Sequence, residues 1–105
     1  MYTMMQVCRE LDMTYQTLKF YCNEGLVPNV KRDHNNRRVF DEKDVKWIKD
    51  LTCLKKCGMS IQEMKKYLEL CLQGEATIVS RKKMLARKQE ELRASIKELE
   101  DSISY

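Results

Sequence analysis

The sequence predicts a mostly α-helical fold, in which a winged helix-turn-helix head with a small β-hairpin wing precedes a long C-terminal dimerisation helix. Three observations carry this. One proline and three glycines in 105 residues leave little turn material for a many-stranded sheet. Those glycines, Gly25, Gly58 and Gly74, each follow a helical apolar pattern, where a left-handed cap is wanted. Beyond Gly74 the apolar residues recur at seven-residue spacing to the end of the chain. The division expected is 1–74 for the head and 75–105 for the dimerisation helix.

Thr3 and Gln6 form a capping box that opens a first short helix, with Met4, Val7 and Leu11 on one face. Asp12-Met13-Thr14 is a tight turn, and Thr14 caps a second helix running to Glu24. Its inward face is Leu18 with Tyr21 or Cys22; Gly25 ends it and Pro28 prevents continuation. Helices this short, joined by so few residues, read as a helix-turn-helix. Val30-Lys31-Arg32 and Arg37-Arg38-Val39-Phe40 flank Asp33-His34-Asn35-Asn36 and predict a hairpin, because Asn tolerates the positive φ of a tight turn. Asp41 caps a third helix with Val45, Ile48, Leu51 and Leu54 inward. Ser60 and Glu63 form a second capping box, opening a fourth helix with Ile61, Met64, Leu68 and Leu72 inward.

A last helix is expected from about Thr77 to Ser104. Ile78, Leu85, Leu92 and Leu99 repeat at seven residues, and Ile96 and Ile103 join the same narrow stripe. Arg81, Lys82, Lys83, Arg87 and Lys88 crowd its first half; Glu90, Glu91, Glu98, Glu100 and Asp101 fill its second. Charge placed this way opposes the helix dipole at both ends. An antiparallel copy sets basic half against acidic half, so an antiparallel homodimeric coiled coil is expected.

Composition narrows the function. With 43% hydrophobic and 34% charged residues the chain is expected to fold rather than remain disordered. No apolar run approaches the roughly 20 residues of a membrane span, and Met1 to Gln6 lacks a basic-then-apolar signal region. Five cysteines, an odd number, read as reduced thiols in cytoplasm. One histidine and no Cys-x-x-Cys argue against structural zinc. Phosphate-binding glycine loops and a glycine-flanked serine are missing, and His34 has no identifiable acidic or thiol partner, so no enzyme is expected. The net charge of +4 permits a nucleic-acid partner.

Basic residues stand where a winged helix-turn-helix presents them. Lys19 projects from the second helix, and Lys31, Arg32, Arg37 and Arg38 come from the hairpin. Cations pair with phosphates and an α-helix fits the major groove, so this set suits double-stranded DNA; Gln16 could read a base edge.

The run Met13-Thr14-Tyr15-Gln16-Thr17-Leu18-Lys19-Phe20-Tyr21-Cys22-Asn23-Glu24-Gly25-Leu26-Val27-Pro28 resembles the second helix and exit of MerR-family transcription regulators. The first helix, Arg37 to Val45, and Cys57-Gly58-Met59-Ser60-Ile61 continue the resemblance in order. It implies a homodimer that binds an over-long, pseudo-palindromic promoter spacer, then untwists and bends it for RNA polymerase. Thr17, Lys19 and Tyr21 stand where the family contacts DNA, and Arg38 and Phe40 at the wing's usual arginine and aromatic. The candidate DNA-binding set is therefore Thr14, Gln16, Thr17, Lys19, Tyr21, Lys31, Arg37 and Arg38. Lys19 replaces a common Arg, Phe20 and Phe40 a common Tyr, and Cys22 a common acidic residue. Without hydroxyls, Phe20 and Phe40 are expected to pack.

Cys53 aligns with a cysteine of the short subgroup that responds to aldehydes and other electrophiles, and Lys49, Lys55 and Lys56 are near it in sequence. It is the candidate effector-sensing residue. Cys8, Cys57 and Cys71 are expected to pack, and Cys22 either packs or lies near the recognition surface. The family's metal sensors place thiolates at the start of the dimer helix and in a loop after it. No Cys or His lies beyond Cys71 and the chain ends at Tyr105, so no metal and no cofactor is expected, nor a bulky organic effector. The competing readings are a metal-responsive member of the same family and a coiled-coil adaptor that binds protein instead of DNA.

Overall fold

The computed structural model describes residues 1–105, which pack as two compact units, Met1–Cys53 and Leu54–Tyr105. In the first, β1 (Tyr2–Thr3) leads into α1 (Met4–Leu11) and α2 (Tyr15–Asn23). Thr3 and Gln6 make the expected reciprocal cap. Asp12 then takes the left-handed region at φ 51°, and Met13 N–H donates to the Cys8 carbonyl at 3.0 Å. Thr14 Oγ1 accepts from Thr17 N–H at 3.1 Å, which starts α2. Gly25, at φ +75°, ends that helix where an L side chain would be strained.

The wing is β2 (Lys31–Arg32) and β3 (Arg38–Phe40), antiparallel, with Lys31 opposite Val39 and Arg32 opposite Arg38. Asn36 carries the positive φ of its turn, 59°. Asp33 Oδ1 accepts from the Asn35 and Arg37 N–H groups at 2.9 and 3.0 Å, closing the loop. The sequence did not suggest the third strand: β1 pairs with β3 on its other edge, Tyr2 opposite Phe40. α3 (Glu42–Lys56) follows. Its cap is a reciprocal Asp41–Asp44 pair, in which Asp44 N–H donates to Asp41 Oδ1 at 2.8 Å and Asp41 N–H to Asp44 Oδ2 at 2.9 Å. Val7, Leu18, Leu26, Phe40, Ile48 and Leu51 are fully buried and form the core. Half-buried Trp47 is pinned to it by an Nε1–H bond to the Leu26 carbonyl, 2.7 Å.

In the second unit, Gly58 turns the chain out of α3 at φ +86°. The Ser60–Glu63 box then opens α4 (Ile61–Leu72). Met64 and Leu68 are buried as expected, but Leu72 is 65% exposed, against the inward placement expected for it. Each i+4 step rotates the side chain by about 40°, so Leu72 lies about 80° off the Met64 direction. A 3₁₀ turn, Gly74–Thr77, precedes α5 (Ile78–Ser104). Thr77, buried, donates to the Leu70 carbonyl and accepts from Arg81 Nε at 3.1 Å. Lys88 bridges Glu63 at 3.0 Å and Glu91 at 2.9 Å, tying α5 to α4. α4 and α5 both lie in the second compact unit, which begins at Leu54 within α3. No residue of α5 is buried: Ile96, Leu99 and Ile103 are 53, 64 and 85% exposed.

Candidate nucleic-acid interface

α2 begins at a polar cap, so its first turn faces solvent. Thr14, Gln16, Thr17 and Lys19 are all exposed, and the Thr14 and Thr17 hydroxyls are 2.7 Å apart. Tyr21 is different. Its ring is 4% exposed and burial raises its phenol pKa, so it belongs to the core beside Leu18 rather than to the exposed set. Phe20 corrects the packing expectation in the opposite sense: it is 45% exposed, because the face it shares with Gln16 is turned away from Leu18. Phe40 is fully buried and packs as expected.

The four basic wing residues have four different surroundings. Lys31 Nζ lies 2.9 Å from Asp41 Oδ2 and 3.4 Å from Asp44 Oδ2. Its pKa is raised, chiefly by the Asp41 bond, and Asp41 is lowered to about 2, chiefly by the Asp44 N–H and then by Lys31. Lys31 was expected to face phosphate; its charge is instead matched by two carboxylates at the base of the wing. Arg32 Nη1 donates to the Asn36 carbonyl at 2.9 Å and braces the turn. Arg37 is exposed, its backbone N–H on Asp33 and its guanidinium without a hydrogen bond. Arg38 is half-buried and its Nη2 donates to Asn23 Oδ1 at 2.7 Å.

Asn23 and Asp44 are the residues sequence reading missed. Asp44, three residues beyond the Asp41 cap, could have been found as a capping box with Asp for Glu; nothing local marks Asn23. A cleft of about 530 Å³ is lined by Met5 and Tyr15 together with Arg32, Asp33, Arg37 and Arg38. Three arginines lining one cleft suit a sugar–phosphate backbone.

Cys53 is exposed on α3, and Cys57 is half-buried. Cys8 is buried, which pushes its thiol pKa up. Cys22 is half-buried and likewise raised by burial, against the opposing pull of Arg38 and Arg32. Cys71, expected in the core, is only half-buried and its Sγ accepts from Arg81 Nη1 at 3.8 Å. No three His, Cys, Asp or Glu side chains are grouped to hold a metal ion, and no helix is long and apolar enough to cross a membrane.

Comparison with known proteins gives a consistent set of matches. The MerR HTH family regulatory protein model matches residues 2–71, and the MerR DNA-binding model matches residues 45–104. An uncharacterised HTH-type transcriptional regulator of Haemophilus influenzae is 36% identical over 98 residues, 93% of this chain and 73% of its own length. The HTH-type transcriptional regulator AdhR of Bacillus subtilis is 37% identical over 87 residues, covering 83% of this chain and 62% of that protein. Among solved structures, HiNmlR, a MerR family regulator lacking the sensor domain and bound to promoter DNA, superposes with a TM-score of 0.86. It is 34% identical, over 98% of this chain and 78% of that one.

Proposed function

The chain belongs to the MerR family of DNA-binding transcriptional regulators, and from that premise we propose that it acts as a homodimer, distorting promoter DNA for RNA polymerase. Residues 1–74 supply the DNA-binding part and 75–105 the dimerisation helix. In this reading Gln16, Thr17 and Lys19 enter the major groove from α2, with Thr14 at its cap, while Arg37 and Arg38 take backbone phosphates from the wing. The observation that carries it is the Arg38–Asn23 bond, which ties the wing to the end of α2 so that both meet one duplex as a unit.

Homodimerisation is supported by α5. A 27-residue helix with no buried side chain and an apolar stripe at seven-residue spacing leaves that stripe to a second copy. Two-fold symmetry then asks for a pseudo-palindromic promoter. Two heads fixed at one separation can meet an over-long spacer only by deforming it, and deformation changes what polymerase meets. A promoter-DNA partner supports a cytoplasmic location. Cys53, exposed on α3, is the site at which an aldehyde or quinone adduct would switch transcription.

The test is a gel shift over a range of salt on the DNA adjoining its own coding region, with a footprint of the same fragment. Salt-dependent binding and a two-fold-symmetric footprint are expected. Binding by a monomer, or a footprint over one half-site alone, would overturn the dimeric reading.

A further inference from the structure

We propose that Asn23 is a positioning residue for DNA binding, whose carboxamide aims the Arg38 guanidinium without neutralising it. This rests on the wing-to-phosphate contact proposed above. Asn23 is the last residue of α2 and Arg38 the first of β3; fifteen residues apart in sequence, they meet at 2.7 Å. The backbone of Arg38 is held opposite Arg32 in the hairpin, so its side chain has a fixed root as well as a fixed tip.

The nature of the acceptor matters more than the bond. Lys31 shows the alternative within the same wing: two carboxylates hold it, and they also match its charge. An amide oxygen occupies one of the five guanidinium donors and leaves the full positive charge and four donors for a phosphate. The Cys22 thiol of α2, on which Arg38 acts, has its pKa pushed up by burial and so adds no negative charge beside the guanidinium. Asp44, which also acts on that thiol, is engaged by Lys31 and by the α3 cap. Arg38 is therefore ordered before DNA arrives. Ordering a long side chain in advance removes an entropic penalty from the binding step.

The test is a double-mutant cycle read by fluorescence anisotropy on a mixed-sequence duplex, titrated at several salt concentrations. Phosphate contacts do not depend on sequence, so no operator is required. Arg38→Ala weakens binding and flattens the salt slope by about one contact per protomer, ~1.8 for the dimer. Asn23→Ala is expected to weaken binding roughly three- to tenfold, as for loss of a preorganised contact, and to cost nothing further in the Arg38→Ala background. Asn23→Asp keeps an acceptor in place but cancels the charge, so it should flatten the salt slope toward that of Arg38→Ala. A loss from Asn23→Ala that is equal in both backgrounds makes Asn23 a merely structural residue and overturns the proposal, as does the absence of any loss. If Arg38→Ala itself changes neither affinity nor slope, the wing contact fails first, and the positioning role with it.

Discussion

The ammonium of Lys31 sits 2.9 Å from the carboxylate of Asp41, so a phosphate would have to compete with that carboxylate for it. Lys31→Ala should therefore leave the salt slope of DNA binding within a fraction of the ~0.9 that one phosphate contact contributes. Arg37→Ala, which removes a guanidinium that makes no hydrogen bond, should reduce the slope by about twice that amount, one contact from each protomer of the dimer. Equal slope changes from the two variants would return Lys31 to the DNA-binding surface.

The same contact has a pH signature. The Asp44 N–H and Lys31 hold the Asp41 carboxyl at about 2, below its ordinary 3.8, so the folded protein binds that proton less readily than the unfolded chain does. The stabilisation is complete above about pH 4 and is lost as pH falls toward 2. Asp41→Asn should flatten that part of the stability profile, read as urea midpoint against pH. An unchanged acid limb would show that other carboxylates govern it.

Trp47 gives a prediction on the head's core. Its indole N–H is bonded at 2.7 Å to the carbonyl of Leu26, a fully buried residue. Trp47→Phe removes the donor and leaves that carbonyl without it, a cost of about 1–3 kcal/mol. Urea unfolding followed by circular dichroism should show the midpoint fall with little change in slope. An unshifted midpoint would mean that water replaces the indole.

Local signals are legible in the sequence, and contacts between distant residues are not. The boxes at Thr3–Gln6 and Ser60–Glu63 were legible because cap and partner lie three residues apart. Val45, Ile48, Leu51 and Leu54 were legible because helical periodicity points them to one side. β1 escaped notice because two residues carry no alternation, and its pairing with β3 is set by strands nearly forty positions apart. Lys31 and Arg38 look alike in sequence; whether each meets a carboxylate or an amide depends on where α3 and the end of α2 lie in space.

The exposed stripe of α5 gives the prediction on assembly. Leu92 lies in mid-stripe, between Leu85 and Leu99, and α5 has no buried residue of its own. Burying a glutamate there against a second copy strands a charge away from water, which should raise the dimer dissociation constant roughly a hundredfold or more. Leu92→Glu is expected to sediment as a monomer with its helical circular dichroism largely retained. A dimer of unchanged affinity would place the interface elsewhere.

Cys53 gives the prediction on switching. Cys53 lies in the last turn of α3, which runs from Glu42 to Lys56, and is exposed there. An adduct there adds bulk to α3 at an exposed thiol, while Cys8 is buried and Cys57 and Cys71 are half-buried. Cys53 and Cys57 are one helical turn apart on a regular helix, which holds their β-carbons beyond disulfide range, so adduct formation is the expected chemistry rather than a bridge. In it the thiol gives its S–H proton to water, the sulfur lone pair forms a C–S bond to the electrophilic carbon, and the π pair displaced onto the aldehyde or quinone oxygen binds a proton from water. Cys53→Ser should keep the fold and the DNA affinity but abolish transcription induced by an aldehyde or quinone in a reporter assay. Cys57→Ser and Cys71→Ser should retain most of that response. A normal response from Cys53→Ser would remove the switch from this residue and leave the DNA-binding surface of α2 and the wing as argued.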